Sequence, residues 1–212
     1  AAKMTGTEMS CELYAGLSDF MPNHVVSGVL QEALEAVGAP AYDEEDFKLA
    51  RAFFYDGVSP EELEAKKAAI KKKFGPALAE TFYEKPLDTH IAPLAWKGEI
   101  QSGSSDVGDA SYVMPTAWLS TATATLGTAG HTWQMAAHGN TGIAHKAMLT
   151  AGKVLALAAV RFYEEPELAE AAKKELAEET GATAENYVSL GELYPSPGYC
   201  GEVIFMFLAT QL

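Results

Sequence analysis

The chain has 212 residues, of which 48% are hydrophobic, and its 29 acidic residues outnumber its 15 basic residues. This length and this composition are sufficient for a buried core of ordinary globular size. Because the formal net charge of −14 repels phosphate backbones and anionic membrane surfaces, we expect the chain to bind neither nucleic acid nor a membrane.

The first predicted element is a strand from Met9 to Ala15. Apolar and polar side chains alternate there with the period of a half-buried strand. The neighbouring residues offer no hairpin partner for it. The pattern therefore predicts a strand that is separated from its sheet.

Three helices are predicted next. Apolar residues at helical spacing cover Val25–Val37, and a second amphipathic stretch covers Asp43–Tyr55. The capping-box signature at Ser59–Glu62, with proline at the first helical position, opens a third helix that ends near Gly75. The basic run Lys66–Lys73 lies on this helix together with several glutamates, so we interpret it as a solvated face.

The middle of the chain is predicted to be a long connection followed by two strands. Glu84–Ser102 contains prolines and little periodicity, and long ordered loops are often functional. Ala110–Met114 and Thr116–Leu126 are rich in β-branched and aromatic residues, which predicts two strands around Pro115.

The C-terminal part is predicted to contain two helices and an irregular tail. An alanine-rich apolar helix covers Gly142–Tyr163, and Pro166 starts a more polar helix that stops before Gly181. The last apolar stretch, Val203–Leu208, is predicted either as an edge strand or as a tail buried in a partner.

The cysteines and the hydropathy pattern indicate a reducing compartment. Neither Cys11 nor Cys200 belongs to a metal-binding spacing, so we expect reduced thiols and a cytoplasmic protein. No secretory signal opens the chain, and no apolar run reaches the length of a membrane span. The start without methionine favours a trimmed chain or a piece of a longer polypeptide.

The segment Gly103–Lys146 concentrates the histidines with candidate chemistry. His131 follows a predicted strand in a glycine-flanked loop, a position that suits a zinc ligand, although hydrogen bonds to the loop backbone are an alternative role. His145 lies in the first turn of the apolar helix, where a neutral ring suits a ligand, a donor to a substrate carboxylate, or a structural role. His138 lies in a predicted polar loop, and a functional role is less expected for it.

Asp106 and Asp109 are the candidate carboxylates in the same segment. Each is able to bind a metal or to cap the glycine-rich turn that contains it. The motifs of serine hydrolases, dinucleotide-binding folds, P-loops and HExxH zinc enzymes are absent from the sequence. A single catalytic metal needs about three protein ligands, and among these residues only His131 is a convincing one.

Three runs in this half of the chain resemble a known family of hydrolases. They are GSSDVGDASYVMPT, LGTAGHTWQ and GIAHKAMLTAGKVLALAA. In this order they resemble the C-terminal half of aminobenzoyl-glutamate utilisation protein B-like amidohydrolases. That group is part of the large family of zinc-dependent aminoacylases and glutamate carboxypeptidases. The resemblance covers roughly Ala1 to Thr180.

The resemblance implies an α/β fold, namely the C-terminal part of a zinc-aminopeptidase-like catalytic domain with a remnant of a lid domain that mediates dimerisation. Residues 1–18 would end the lid domain, and residues 19–212 would belong to the catalytic domain. The complete enzyme would hold two divalent metal ions, zinc or manganese, and hydrolyse N-acyl or N-aroyl amino acids such as p-aminobenzoyl-glutamate. His131 matches a metal ligand, and Asp106, Asp109 and His145 are assigned to substrate binding.

The chain departs from this family because the ligand pairs and the catalytic glutamate pair of the N-terminal half are not found in it. We therefore predict a fragment that is inactive without an N-terminal half. Its expected partners are the small-molecule substrate and either a second copy in a homo-oligomer or the N-terminal half of the same enzyme. The alternative is a non-catalytic binding or assembly subunit that retains the same fold.

Overall fold

The computed structural model describes residues 2–14, 16–56, 58–94, 105–181, 186–193 and 204–210. These ranges are mainly helical, and the strands within them form a single antiparallel pair. The predicted α/β fold is therefore wrong for the described residues, because no parallel sheet underlies the helices there. The division into a lid remnant and a catalytic part stays a prediction.

The helices follow one another with short connections over most of the described chain. They are α1 (Ala2–Thr5), α2 (His24–Val37), α3 (Glu44–Tyr55), α4 (Pro60–Phe74), α5 (Pro76–Glu84), α6 (Val107–Ser111), α7 (Trp133–His138), α8 (Gly142–Glu164) and α9 (Pro166–Thr180). Strand β1 (Asn186–Leu193) pairs with β2 (Ile204–Thr210), with Asn186 opposite Thr210 and Leu193 opposite Ile204. All five predicted helices are confirmed, as α2, α3, α4, α8 and α9, and β2 confirms the strand alternative for the apolar tail.

Side-chain caps explain where the predicted helices begin. The Asn23 side chain accepts a hydrogen bond from the Val26 amide and so opens α2. Asp43 opens α3 through a capping box, and the predicted capping box between Ser59 and Glu62 opens α4. Each cap satisfies a backbone N–H that has no partner within its own helix.

The largest packing unit joins α2, α8 and α9. Its buried members are Val29, Leu30, Ala33, Val154 and Ala158. The Glu175 carboxylate of α9 also accepts hydrogen bonds from the amides of His24 (2.7 Å) and Val25 (3.0 Å) at the first turn of α2. A negative charge is favourable at this position because it faces the positive end of the helix dipole.

Two further clusters pack α3, α4 and α5 together and join α3 to this unit. Phe54, Ile70, Ala79 and Phe82 are buried where α3, α4 and α5 meet. Ala50, Leu87 and Ile143 are each fully buried and connect α3 to α8. The apolar stripes predicted for these helices therefore face the core.

An ion cluster reinforces the contact between α3 and α8. The Lys146 ammonium of α8 donates hydrogen bonds to Asp43 (2.6 Å) and to Asp46, whose side chain is buried. Lys146 neutralises the buried carboxylate, which would otherwise be costly to hold away from water.

Three predicted strands are not formed in the described ranges. Met9–Tyr14 has no regular secondary structure, and its side chains are exposed, while Ala15 lies outside the described residues. The segment predicted as a strand at Ala110–Met114 instead lies mostly in α6 and the turn after it, and residues 116–124 belong to neither helix nor sheet. Alternation alone does not form a strand, because a strand needs a neighbour for its backbone hydrogen bonds.

Helix α8 is long and apolar enough to span a membrane, whereas the sequence was expected to contain no apolar run of that length. Its 23 residues and its hydropathy are sufficient for a span, although core helices of other proteins pass the same test. Only 28% of its most apolar window is buried. The helix therefore presents much of its apolar surface to solvent.

Candidate functional site

His131 lies in an exposed loop directly before α7. The next residue, Thr132, caps α7 by accepting a hydrogen bond from the Met135 amide, and its hydroxyl donates to the Ala129 carbonyl at 2.8 Å. His131 itself has φ of 57°, a left-handed conformation that is uncommon outside glycine. The two Thr132 hydrogen bonds hold the loop, and the imidazole is left accessible to a ligand.

A cleft of about 490 Å³ runs along the chain just before this loop. It is lined by residues 120–128 and by Leu34, Ala39, Pro40, Lys73, Asp88, His90, Ile91, Ala92 and Met135. Threonine hydroxyls, one lysine and one aspartate give it both donors and acceptors. The cleft includes part of the long connection after Glu84, a segment whose length suggests a function.

The wall of the cleft is held by Tyr42, which lies just before α3 and whose hydroxyl donates a hydrogen bond to the Ala122 carbonyl. Burial raises the pKa of Tyr42 well above its usual value, and the negative charges of Asp46 and Asp88 raise it further. The hydroxyl therefore stays protonated at neutral pH and remains a donor.

Asp109 fastens α6 to the segment before α2. Its carboxylate accepts a hydrogen bond from the Ser18 amide at 2.8 Å, and this bond lowers the pKa of Asp109. The Ser111 hydroxyl accepts from the Met21 amide at 2.9 Å, and Tyr112 donates to Asp19 at 2.6 Å. We call these contacts the α6 clamp. Asp109 therefore accepts a backbone amide of a distant segment and not one of its own glycine-rich turn, and its assignment to substrate binding stays a prediction.

Asp106 and His145 are both exposed. Asp106 precedes α6 without capping it, and its one side-chain contact within the described residues is with the Ser105 hydroxyl at 3.5 Å. His145 lies in the first turn of α8, whose cap is the Thr141 hydroxyl. Both side chains are accessible to a ligand, and their assignment to substrate binding stays a prediction.

The surroundings of His138 indicate a structural role, and a functional role was already less expected for this residue than for His131 or His145. It is 1% exposed, and its ring lies 3.9 Å from the Phe53 ring between centroids. Its Nε2 accepts from the Thr125 amide at 3.2 Å, so Nδ1 carries the proton and donates to the Gln134 carbonyl at 2.7 Å. The neutral ring thereby connects α7 to the wall of the cleft.

Protonation of His138 is expected to destabilise the fold. Burial lowers the pKa of His138 below its usual 6.5, although the hydrogen bond to Gln134 raises it. Below about pH 6.5 the unfolded chain binds this proton while the folded chain does not, so the free energy of unfolding decreases as the pH falls, until the folded pKa is reached. Urea unfolding at about pH 7.5, 6.5 and 5.5 measures this decrease.

The variant His138→Gln removes the buried titrating group and should flatten this pH dependence. His90→Gln, which changes an exposed ring, is the matched control and should leave the slope as it is. An unchanged slope in His138→Gln would show that other groups carry the effect.

No three His, Cys, Asp or Glu side chains within the described ranges lie together as a metal site. His131, Asp106, Asp109 and His145 therefore do not form a complete metal centre by themselves. His131 fits the role of one ligand, since its ring is exposed in an ordered loop and has no hydrogen-bond partner among the described residues. Further ligands would have to come from outside this set of residues.

The chain is similar to a curated relative from Escherichia coli (strain K12), which is a subunit of p-aminobenzoyl-glutamate hydrolase. The two are 31% identical over 165 residues, which make up 77% of this chain and 34% of the relative. The chain thus spans about a third of the length of the relative that it matches. No family model matches the chain, and no solved structure matches it. By this similarity the chain belongs to the family of this p-aminobenzoyl-glutamate hydrolase subunit.

Proposed function

We propose that the chain is part of a metal-dependent amidohydrolase that cleaves the amide bond of N-acyl or N-aroyl amino acids such as p-aminobenzoyl-glutamate. The similarity to a hydrolase subunit carries this proposal. The accessible imidazole of His131, in a loop beside a cleft with both polar and apolar walls, supports it.

In this proposal His131 contributes one ligand to a divalent metal, zinc or manganese. A bound metal would polarise the amide carbonyl and lower the pKa of a coordinated water. The role of this chain is to hold the imidazole in place, which Thr132 does through its hydrogen bonds on both sides of the loop. Polypeptide corresponding to the rest of the relative would supply the remaining ligands and the general base.

The candidate carboxylates suit the aryl end of the substrate better than the glutamate end. Asp106 and Asp109 are acceptors, so they would attract an arylamine N–H and repel the two glutamate carboxylates. Asp106 is the better placed of the two, because Asp109 already accepts the Ser18 amide. His145, as an exposed ring with an N–H, is able to donate to a glutamate carboxylate.

A hybrid protein tests the proposal. The matched segment of the Escherichia coli relative is replaced by this chain, and release of p-aminobenzoate from p-aminobenzoyl-glutamate is followed with added zinc or manganese. The hybrid should hydrolyse the substrate and lose this activity with a chelator, whereas the chain alone should not hydrolyse it. A folded hybrid that binds metal but shows no hydrolysis would contradict the proposal.

Calorimetry of the same hybrid distinguishes the alternative of a non-catalytic binding or assembly subunit. Such a subunit would bind p-aminobenzoyl-glutamate with the same affinity in the presence and absence of metal, and would not convert it. An affinity that rises with metal supports the hydrolase.

A further inference from the structure

The segment that presents His131 is held in the core only at its two ends. Residues 126–132, which we call the His131 loop, are all described by the structure, and none of them is buried. In α7, which follows the loop and is also fully described, the buried residue is the last one, His138. The position of the loop therefore depends on the contacts made at its start and by His138.

The start of the His131 loop is fixed in the fold. The Leu126 amide donates a hydrogen bond to the carbonyl of Pro86 at 2.9 Å, and Pro86 is itself fully buried. The Leu126 side chain packs against the cluster formed by α3, α4 and α5. Thr125, directly before it, is 3% exposed. Thr125 is thus a fixed point from which the loop departs.

The ring of His138 joins the end of α7 to this fixed point. Its Nε2 accepts the Thr125 amide at 3.2 Å and lies 2.9 Å from the Thr125 hydroxyl oxygen. Its Nδ1 donates to the Gln134 carbonyl, which lies within α7, at 2.7 Å. The Phe53 ring of α3 lies against the imidazole. The His131 loop is therefore closed by one imidazole that contacts the chain on both sides of it.

His131 needs this support because its backbone conformation is unfavourable. Residues with a Cβ atom keep a φ near 57° only where the surrounding structure fixes it. The Thr132 hydrogen bonds join the loop to α7, so they move together with α7. The Thr141 amide holds only the last turn of α7, through the His138 carbonyl at 3.0 Å. The bond from Thr125 to the His138 ring fixes α7 relative to the start of the loop.

We propose that His138 is a positioning residue for His131: by tying α7 to Thr125, it holds the His131 loop in the arrangement that presents the His131 imidazole to a metal. The inference rests on the proposed function, because it takes His131 as a metal ligand. His138 acts only through the loop, since its own ring is 1% exposed. The affinity for metal should therefore depend on the hydrogen bond between Thr125 and Nε2 of His138.

Two amide variants of His138 separate its two hydrogen bonds. The side-chain oxygen of glutamine is able to replace Nε2 and accept the Thr125 amide, whereas the shorter asparagine retains only the bond to Gln134. The zinc affinity of the hybrid protein is measured by competition with a chelator. His138→Asn should weaken zinc binding at least ~10-fold, as loss of groups that orient metal ligands does. His138→Gln should stay within a few fold of the original hybrid.

Amide hydrogen exchange of the chain alone gives a second readout that requires neither metal nor activity. The Met135 and Ala136 amides close the first turn of α7 on Thr132. In His138→Asn these amides should exchange at least ~10-fold faster, while the amides of α2 keep their rates, because only a local attachment is lost. In His138→Gln both sets should exchange as in the original chain.

Three results would overturn the inference. They are unchanged zinc affinity in His138→Asn, equal losses of affinity in His138→Asn and His138→Gln, and equally faster exchange in α2 and α7, which would indicate a general structural role. His131→Asn distinguishes these failures from failure of the proposed function. If His131→Asn loses zinc while His138→Asn retains it, only the inference fails. Zinc binding that does not need His131 would overturn both.

Discussion

Replacing His131 with asparagine is expected to lower the metal-dependent hydrolysis of p-aminobenzoyl-glutamate by the hybrid protein more than ~100-fold. Mutations of the groups that only orient metal ligands already cost about 10–100-fold, and loss of a ligand should cost more. Asparagine is preferred to alanine here because His131 has φ of 57°, a conformation that asparagine adopts with less strain. The effect on activity can then be attributed to the imidazole.

The measurements for this variant are kcat/KM with zinc or manganese and the metal content of the dialysed protein. Both should fall in His131→Asn. His24→Asn serves as the control, since His24 is also exposed but lies at the start of α2 and does not line the cleft. Full activity in His131→Asn would show that His131 does not bind the catalytic metal.

The helices were predictable because their signals are local. Ser59, Pro60 and Glu62 specify the start of α4 through contacts within three residues of one another, and the structure contains these contacts. The start of α5 carries a similar signal, since Gly75 is followed by Pro76 at the first helical position. Local caps therefore predict helices without knowledge of the rest of the molecule.

The strands were not predictable in the same way, because a strand depends on residues far away in the sequence. Met9–Tyr14 and Thr116–Leu126 have suitable residue types, but the described part of the chain offers them no pairing partner. The strand β2 forms because β1 lies beside it. Residue preference sets which segments are able to pair, and the available neighbours decide which of them do.

The roles of the candidate residues depended on burial, which spacing alone does not reveal. His131 and His138 are seven positions apart in similar polar surroundings, yet one is exposed and the other is buried against Phe53. For Asp109, likewise, its partner Ser18 is 91 residues away in the chain. A contact of that separation has no local signature.

Gly108→Ala is expected to lower the free energy of unfolding by about 3 kcal/mol, as overpacking of a rigid contact does. A Cβ atom at Gly108 would overlap the carbonyl oxygen of Ser18 and would lie 3.2 Å from the carbonyl oxygen of Asp19. Both are backbone atoms that the α6 clamp holds in place, so neither is free to move aside. Gly28→Ala is the control, since it meets no atom within 4 Å and should be neutral or slightly stabilising in α2. Urea unfolding of both variants measures the difference, and equal stabilities would show that the clamp does not constrain Ser18.

The α6 clamp also determines how a role of Asp109 in substrate binding can be separated from its structural role. Asp109→Asn retains an oxygen that is able to accept the Ser18 amide, so it preserves the hydrogen bond while it removes the negative charge. If Asp109 contacts the substrate through its charge, the hybrid carrying Asp109→Asn should have a higher KM, and its stability should fall only slightly because a neutral acceptor replaces the ionised one. If Asp109 only fastens α6, this variant should be close to the original hybrid, and only Gly108→Ala should impair it. Loss of activity in Gly108→Ala together with full activity in Asp109→Asn would therefore assign Asp109 to positioning of the segment before α2, and would remove it from the substrate site.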